Sequence, residues 1–97
     1  MARTYELMVI TDPELDEEAS QALQERITRL VSQHGGELKS TEPWGRRRLA
    51  YTIDGHTEGV YTLFTFEGGE RAPAELSRLL RLTEGVLRHM IVRTDES

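Results

Sequence analysis

Segments with the periodicity of strands and of helices follow one another along this chain in a fixed order. Strand patterns cover residues 4–10, 37–44 with a continuation at 47–53, 60–67 and 86–94, and helical patterns cover residues 14–34 and 72–82. With right-handed crossovers, the order strand, helix, strand, strand, helix, strand builds a four-stranded antiparallel sheet that carries both helices on one face. The sequence therefore predicts an α+β chain with the ferredoxin-like βαββαβ topology.

The first strand pattern has two apolar faces, which is typical of a central strand. Tyr5, Leu7 and Val9 share one face, whereas Met8 and Ile10 lie on the other. Met8, Ile10 and part of the strand at residues 60–66 would stay on the open face of the sheet. Apolar patches of that kind usually mark an interface.

The first predicted helix has recognisable ends. Either Thr11 or Asp12 can cap it, with Pro13 tolerated in its first turn, and Gly35 and Gly36 end it. Turns are expected at residues 54–59 and 68–70. The apolar stripe of the helix consists of Leu15, Ala19, Ala22, Leu23, Ile27, Leu30 and Val31.

Length and composition limit the class of protein. A chain of 97 residues makes one domain, 1–97, in which we expect residues 94–97 to form a flexible tail. The sequence has no cysteine, no signal-peptide pattern and no apolar run of about 18 residues, so we expect no disulfide, no membrane partner and a cytoplasmic location.

Charge is unevenly distributed along the chain. The formal net charge of −5 argues against strong autonomous binding to naked nucleic acid. Seven of the acids lie between residues 11 and 37, whereas Lys39 and a run of three arginines at 46–48 lie between residues 38 and 53. The sequence thus predicts a polarised domain with an acidic helix start and a basic sheet region.

The segment at residues 44–51 places the three arginines between the only tryptophan, Trp44, and Tyr51. Gly45 indicates a bulge or a close backbone approach. Guanidinium groups bind phosphate or carboxylate bidentately and stack on aromatic rings, so this pattern favours a docking surface for RNA or for a protein partner. The alternative interpretation is a solvated charge run on an exposed strand.

Residues suited to catalysis or metal binding are few. His34, His56 and His89 have no neighbouring histidine or carboxylate at metal-ligand spacing, and the acids near residues 16–18 suit a solvated first helical turn. Residues 68–69 lack the lysine and hydroxyl of a phosphate-binding loop. We therefore expect no catalytic residue, no metal site, no cofactor and no small-molecule substrate.

An RNA-recognition motif shares this topology and stacks bases on aromatic residues of its central strands. Tyr61, Phe64 and Phe66 are aromatic, but the glycine-aromatic-glycine signature of that motif is missing. We expect these three rings to pack under the helices instead.

The chain resembles the bacterial small-subunit ribosomal protein six family over essentially its whole length. Residues 5–10 (YELMVI) resemble the first strand of the family, residues 44–53 (WGRRRLAYTI) its signature segment, and residues 86–93 (VLRHMIVR) its final strand. Two departures are visible: Thr52 stands where proline is common, and the acidic C-terminal extension of some members is absent.

This resemblance implies a structural, non-enzymatic protein of the ribosome in the cytoplasm. It implies binding to small-subunit (16S) ribosomal RNA as a heterodimer with small-subunit ribosomal protein eighteen. The candidate rRNA-binding residues are Arg3, Arg46, Arg47, Arg48, Arg88 and Arg93. The candidate partner-binding residues are Trp44, Arg46, Arg48 and Tyr51.

A different class of function also fits the topology. Ferredoxin-like domains form dimeric α+β barrels that bind or convert small metabolites, and there His89 would line a cavity between stacked sheets.

The candidate residues carry geometric expectations. Strand alternation places Arg46 and Arg48 on one face and Arg47 on the other, and Trp44 should be partly exposed near a sheet edge. Arg3 should lie near Arg93 at one end of the sheet. Their charges would there meet an RNA phosphate, unless they are neutralised by Glu6, Asp95 or Glu96.

Overall fold

The structure is a computed structural model that describes residues 3–94. Its strands are β1 (Arg3–Thr11), β2 (Glu37–Ile53), β3 (His56–Gly68) and β4 (Val86–Arg93), and its α-helices are α1 (Glu17–Leu30) and α2 (Ala72–Arg81). The strands form one antiparallel sheet in the order β2-β3-β1-β4. The predicted ferredoxin-like topology is confirmed.

The core lies between the helices and one face of the sheet. Alternation along β1 buries Tyr5, Leu7 and Val9, as the sequence predicted. The rings of Tyr5 and Phe66 stack with their centroids 5.4 Å apart. The remaining buried apolar side chains of this core are Leu23, Ile27, Val31, Phe64, Ala72, Leu76 and Leu80.

The first helix begins later than predicted. Asp16 is its N-cap, and the Asp16 carboxylate accepts a hydrogen bond of 2.7 Å from the N–H of Ala19. Asp12 instead closes a separate turn, because its carboxylate accepts the N–H of Glu14 at 2.8 Å. Two carboxylates lie four residues apart here, and only the second precedes helical backbone.

The apolar stripe of α1 is also narrower than predicted. Leu23 and Ile27 are buried, followed by Val31 in the π-helical turn Val31–Gly35 that continues α1. Ala19 and Ala22 are exposed, whereas Leu15 and Leu30 are partly buried against the same core.

Glycine ends this helical segment, as predicted, and the reason is steric. Gly36 has a φ of 126°, a conformation that residues with a side chain rarely adopt. A Cβ atom at Gly36 would lie only 2.0 Å from the carbonyl oxygen of Glu67. The glycine therefore allows the chain leaving the helix to approach the end of β3.

The turn between β2 and β3 is shorter than predicted. Only Asp54 and Gly55 form it, with φ values of 48° and 80°, as in a two-residue hairpin turn. Gly59 belongs to β3, and a Cβ atom there would lie 2.4 Å from Cγ2 of Ile10. The expected place of Gly59 in a turn is therefore wrong, because this glycine serves close packing.

The chain end is held at Thr94, whose N–H donates to the carbonyl of Thr4 at 3.0 Å. The predicted tail of residues 94–97 otherwise lies outside the described residues.

Candidate nucleic-acid and protein interface

A two-stranded hairpin extends beyond the rest of the sheet. β1 ends at Thr11, opposite Val60, so the chain between residues 46 and 59 has no third strand beside it. We call residues 44–59 the projecting hairpin. Gly45 forms the predicted bulge, with a shift of register between Pro43 and Gly45 and a φ of 81°. No atom lies within 4 Å of a Cβ built at Gly45. The glycine therefore permits the bulge, and no other part of the chain packs closely against its backbone.

Arg46 is the arginine of the triplet that pairs with an acid. Its Nε lies 3.0 Å from Oε1 of Glu58 across the hairpin, and both side chains are about half exposed. Glu58 is the register partner of Arg48, so Arg46 and Arg48 share a face, as predicted. An exposed pair of this kind contributes roughly 0–1 kcal/mol to stability.

Arg47 and Arg48 keep their positive charges unpaired within residues 3–94. The guanidinium of Arg47 lies over the ring of Trp44, 5.0 Å from its centroid, and its Nε donates to the Trp44 carbonyl at 3.4 Å. Arg48 is exposed and lines a shallow groove with Thr52 and Thr57. Two of the three arginines can therefore accept an external anion without breaking an ion pair.

Trp44 lies on β2, which is an edge strand, and 40% of its surface is exposed. This placement agrees with the expected position, whereas its role as an anchor for a partner stays a prediction. Leu49 of the same strand is only 8% exposed, and its Cδ2 atom lies 3.5 Å from the position of a Cβ atom at Gly59.

Arg88 joins the hairpin to the far edge of the sheet. Its guanidinium lies 5.3 Å from the ring centroid of Tyr51 and donates a hydrogen bond to the hydroxyl of that ring. β4 and β2 are opposite edges of the sheet, so the hairpin bends across the open face to make this contact. No local pattern predicts this pair, because 37 residues separate its members in the sequence.

The open face of the sheet carries an apolar patch, as the sequence predicted. Its most exposed members are Met90 (63%) and Val92 (44%). Tyr61 alternates with buried Thr62 and therefore lies on this open face, so its expected place under the helices is wrong. Phe64 and Phe66 are buried under the helices as expected. We define the open-face patch as Met8, Ile10, Tyr61, Leu63, Met90 and Val92.

The remaining candidate arginines lie at the other end of the sheet. Arg3 begins β1, and Arg93 is the register partner of Tyr5 on the neighbouring strand, so the two lie at one end as predicted. The guanidinium of Arg3 lies 3.2 Å from the carboxylate of Glu70. Glu70, which was not among the alternatives Glu6, Asp95 and Glu96, is therefore the acid that pairs with Arg3, and Asp95 and Glu96 lie outside the described residues.

The histidines lie apart from one another. His89 contacts Ser77 of α2 (Nε2 to Oγ, 3.1 Å), and its burial together with the charge of Arg81 lowers its pKa. His89 thus faces the helices and would not line a cavity between stacked sheets. His34 and His56 lie 4.0 and 3.8 Å from single carboxylates, those of Glu75 and Asp12. Residues 3–94 contain no group of three or more side chains suited to hold a metal ion.

No helix in the described part of the chain is long and apolar enough to cross a membrane.

Comparison with known proteins identifies a family. The family model described as "Ribosomal protein S6" matches residues 4–93. The small ribosomal subunit protein bS6 of Thermoanaerobacter pseudethanolicus is 45% identical over 94 residues, which cover 97% of this chain and 99% of the relative. That of Symbiobacterium thermophilum is also 45% identical, with the same coverage of 97% and 99%.

Solved structures agree with the sequence matches. The 30S ribosomal protein S6 of Thermotoga maritima superimposes with a TM-score of 0.88 at 29% identity, covering 97% of this chain and 89% of that one. The C-terminal domain of the MgtC protein from Mycobacterium tuberculosis, with a TM-score of 0.51 and 20% identity, shares the fold alone. On these matches, which span nearly every residue of the sheet and helices, the chain belongs to the ribosomal protein S6 family.

Proposed function

We propose that this chain is a structural, non-enzymatic component of the small ribosomal subunit that binds 16S ribosomal RNA as a heterodimer with small-subunit ribosomal protein eighteen. Its place in the cell is then the ribosome in the cytoplasm. Family membership supports a role in the small ribosomal subunit. The observation that carries RNA binding is the projecting hairpin, on which two of three consecutive arginines have no acidic partner within residues 3–94.

The hairpin suits RNA for a physical reason. The guanidinium carbon of Arg47 lies over the ring of Trp44, 5.0 Å from its centroid, and the residue is exposed to solvent. A guanidinium held in this way can donate two parallel hydrogen bonds to a phosphate or stack on an unpaired base. Arg48 adds a second charge that no carboxylate of the described residues neutralises.

The rest of the chain suits a basic protein partner. The formal net charge is −5, so the chain alone repels the RNA backbone over most of its surface. The open-face patch is bordered by Glu6 and Glu42, which make no ion pair within the described residues. An apolar surface with free carboxylates at its border favours a partner that brings lysine and arginine beside apolar side chains.

The two surfaces adjoin. Tyr51 of the hairpin contacts Arg88, and Arg88 is the register partner of Ile10 in the open-face patch. A partner on the open face would therefore touch the projecting hairpin near its turn. This arrangement supports the assignment of Tyr51 to the partner surface, and we propose Trp44, Arg46 and Arg48 as the other partner-binding residues, of which Arg46 and Arg48 also bind RNA.

Incorporation into ribosomal subunits tests the proposal. The variant Arg46→Ala/Arg47→Ala/Arg48→Ala should be depleted from small subunits purified at moderate salt, because it lacks the hairpin charges that meet the RNA backbone. Quantitative mass spectrometry of subunits from cells that express both tagged wild type and tagged variant measures the depletion.

The matched control removes three exposed arginines elsewhere, with the substitutions Arg26→Ala, Arg29→Ala and Arg81→Ala. The control carries the same change of net charge as the hairpin variant but leaves the hairpin arginines in place. It should therefore enter subunits like wild type. Equal incorporation of the hairpin variant and the wild type would contradict the proposed role of the hairpin.

A further inference from the structure

A charged groove lies at the end of the sheet opposite the projecting hairpin. It is shallow and widely open to solvent, with a volume of about 900 Å³. The start of β1, the π-helical turn and the first turns of α2 form its walls. Its charged lining residues are Arg3, His34, Glu70, Arg71, Glu75 and Arg78.

Positive charge exceeds negative charge in this groove. Arg3 is 3.2 Å from the carboxylate of Glu70, and Arg78 is 2.9 Å from that of Glu75. His34 lies 4.0 Å from the same carboxylate oxygen of Glu75, so this one carboxylate faces both His34 and Arg78. Arg71 is exposed and makes no ion pair within residues 3–94. Three guanidinium groups therefore face two carboxylates, before any charge on His34 is added.

We propose that this groove binds a phosphate group, held by Arg71 together with Arg3 and Arg78. Arginine is the residue whose planar fork matches phosphate oxygens in pairs, and all three permanent cations of the groove are arginines.

The existing ion pairs do not block such a ligand. Both pairs are at least one-third exposed, with side-chain exposures of 33% and 71% for Arg3 and Glu70 and of 57% and 41% for Arg78 and Glu75. Exposed pairs of this kind add little to stability, so the guanidinium groups can turn toward a phosphate without unfolding the groove. The first turn of α2 has no side-chain cap and adds weak positive potential on the same side.

The phosphate could belong to an RNA backbone or be free in solution. Only the RNA source rests on the function proposed above, because the hairpin and this groove lie at opposite ends of the sheet and would contact RNA separately.

A titration of the full chain with inorganic phosphate tests the site itself. At constant ionic strength, the amide resonances of residues 71–75 should shift and saturate with phosphate but not with chloride. Arg71→Gln should weaken binding roughly tenfold, the effect expected for one charge-assisted hydrogen bond. The control Arg26→Gln carries the same change of net charge on an exposed part of α1 and should leave the affinity unchanged. No saturable shift, or equal weakening by both variants, would overturn the proposal.

A second measurement separates the two sources. The slope of log affinity against log salt is measured for the heterodimer with an rRNA fragment. Arg71→Gln should lower this slope by about one unit if the groove holds a backbone phosphate. An unchanged slope beside normal phosphate binding assigns the groove to free phosphate. If the wild-type heterodimer binds no rRNA, the function proposed above fails. The phosphate titration still shows whether the groove binds phosphate.

Discussion

The helix-covered half of the sheet and the projecting hairpin differ in what their side chains do. In β1 every second side chain is buried, and the strand has a hydrogen-bonded neighbour on each side. Between residues 46 and 59 most side chains are exposed, Leu49 being an exception, and the ladder has only two strands. Burial of one large apolar side chain contributes about 1.5–3 kcal/mol, so the stability of the chain resides in the covered half. The hairpin sequence is therefore free to serve binding.

The largest effect on stability should follow from a change in the covered half. Gly36→Ala places a Cβ atom 2.0 Å from the carbonyl oxygen of Glu67, at a φ of 126°. Strain of that kind costs about 3 kcal/mol, or the backbone must shift at the end of β3. Urea unfolding followed by circular dichroism measures the destabilisation.

The matched control for this substitution is Gly69→Ala. No atom lies within 4 Å of a Cβ at Gly69, and its φ is not in the positive range. The control should change the free energy of unfolding by only about a few tenths of a kcal/mol. Similar destabilisation by both substitutions would show that the end of β3 is less constrained than the structure indicates.

A smaller effect should follow from acidification. The pKa of His89 is lowered in the folded state by burial against α2 and by the charge of Arg81. The unfolded chain then binds more protons than the folded chain, so the contribution of His89 to stability is complete above its unfolded pKa of about 6.5 and is lost as the pH falls through the lower folded value. Wild type should therefore become less stable as the pH falls from about 7.5 to about 5.

His89→Gln serves as the comparison, because it retains a hydrogen-bonding group opposite Ser77 but does not titrate. Its free energy of unfolding should depend less on pH across the same range. Identical pH dependence for the two proteins would place the acid sensitivity elsewhere, for example in the carboxylates of the ion pairs.

The covered half was also the more predictable part from sequence. Alternation at residues 5, 7 and 9 identified the buried face of β1, because a two-residue period has only one physical explanation. The predicted start of α1 was wrong. Asp12 and Asp16 are both suitable N-cap residues, and the sequence alone does not choose between them. Gly59 was misassigned because a glycine that permits packing against Ile10 looks like a turn residue.

The candidate site could be predicted only in part. The arginine triplet and Trp44 are adjacent in sequence, and their placement on an edge strand follows from the topology. The contacts of Arg88 with Tyr51 and of Arg3 with Glu70 join residues far apart in the chain. They depend on the bend of the hairpin and on the position of the α2 start, which no local pattern encodes.

The salt dependence of rRNA binding by the heterodimer tests the central claim most directly. It is measured for the wild type and for Arg46→Ala/Arg47→Ala/Arg48→Ala, with partner protein at saturation in both cases. Because Arg46 is paired with Glu58 and the other two arginines are not, the slope of log affinity against log salt should fall by about 2 units, roughly one for each phosphate that the variant no longer neutralises. An unchanged slope, with unchanged affinity, would contradict the claim that the projecting hairpin binds the RNA backbone.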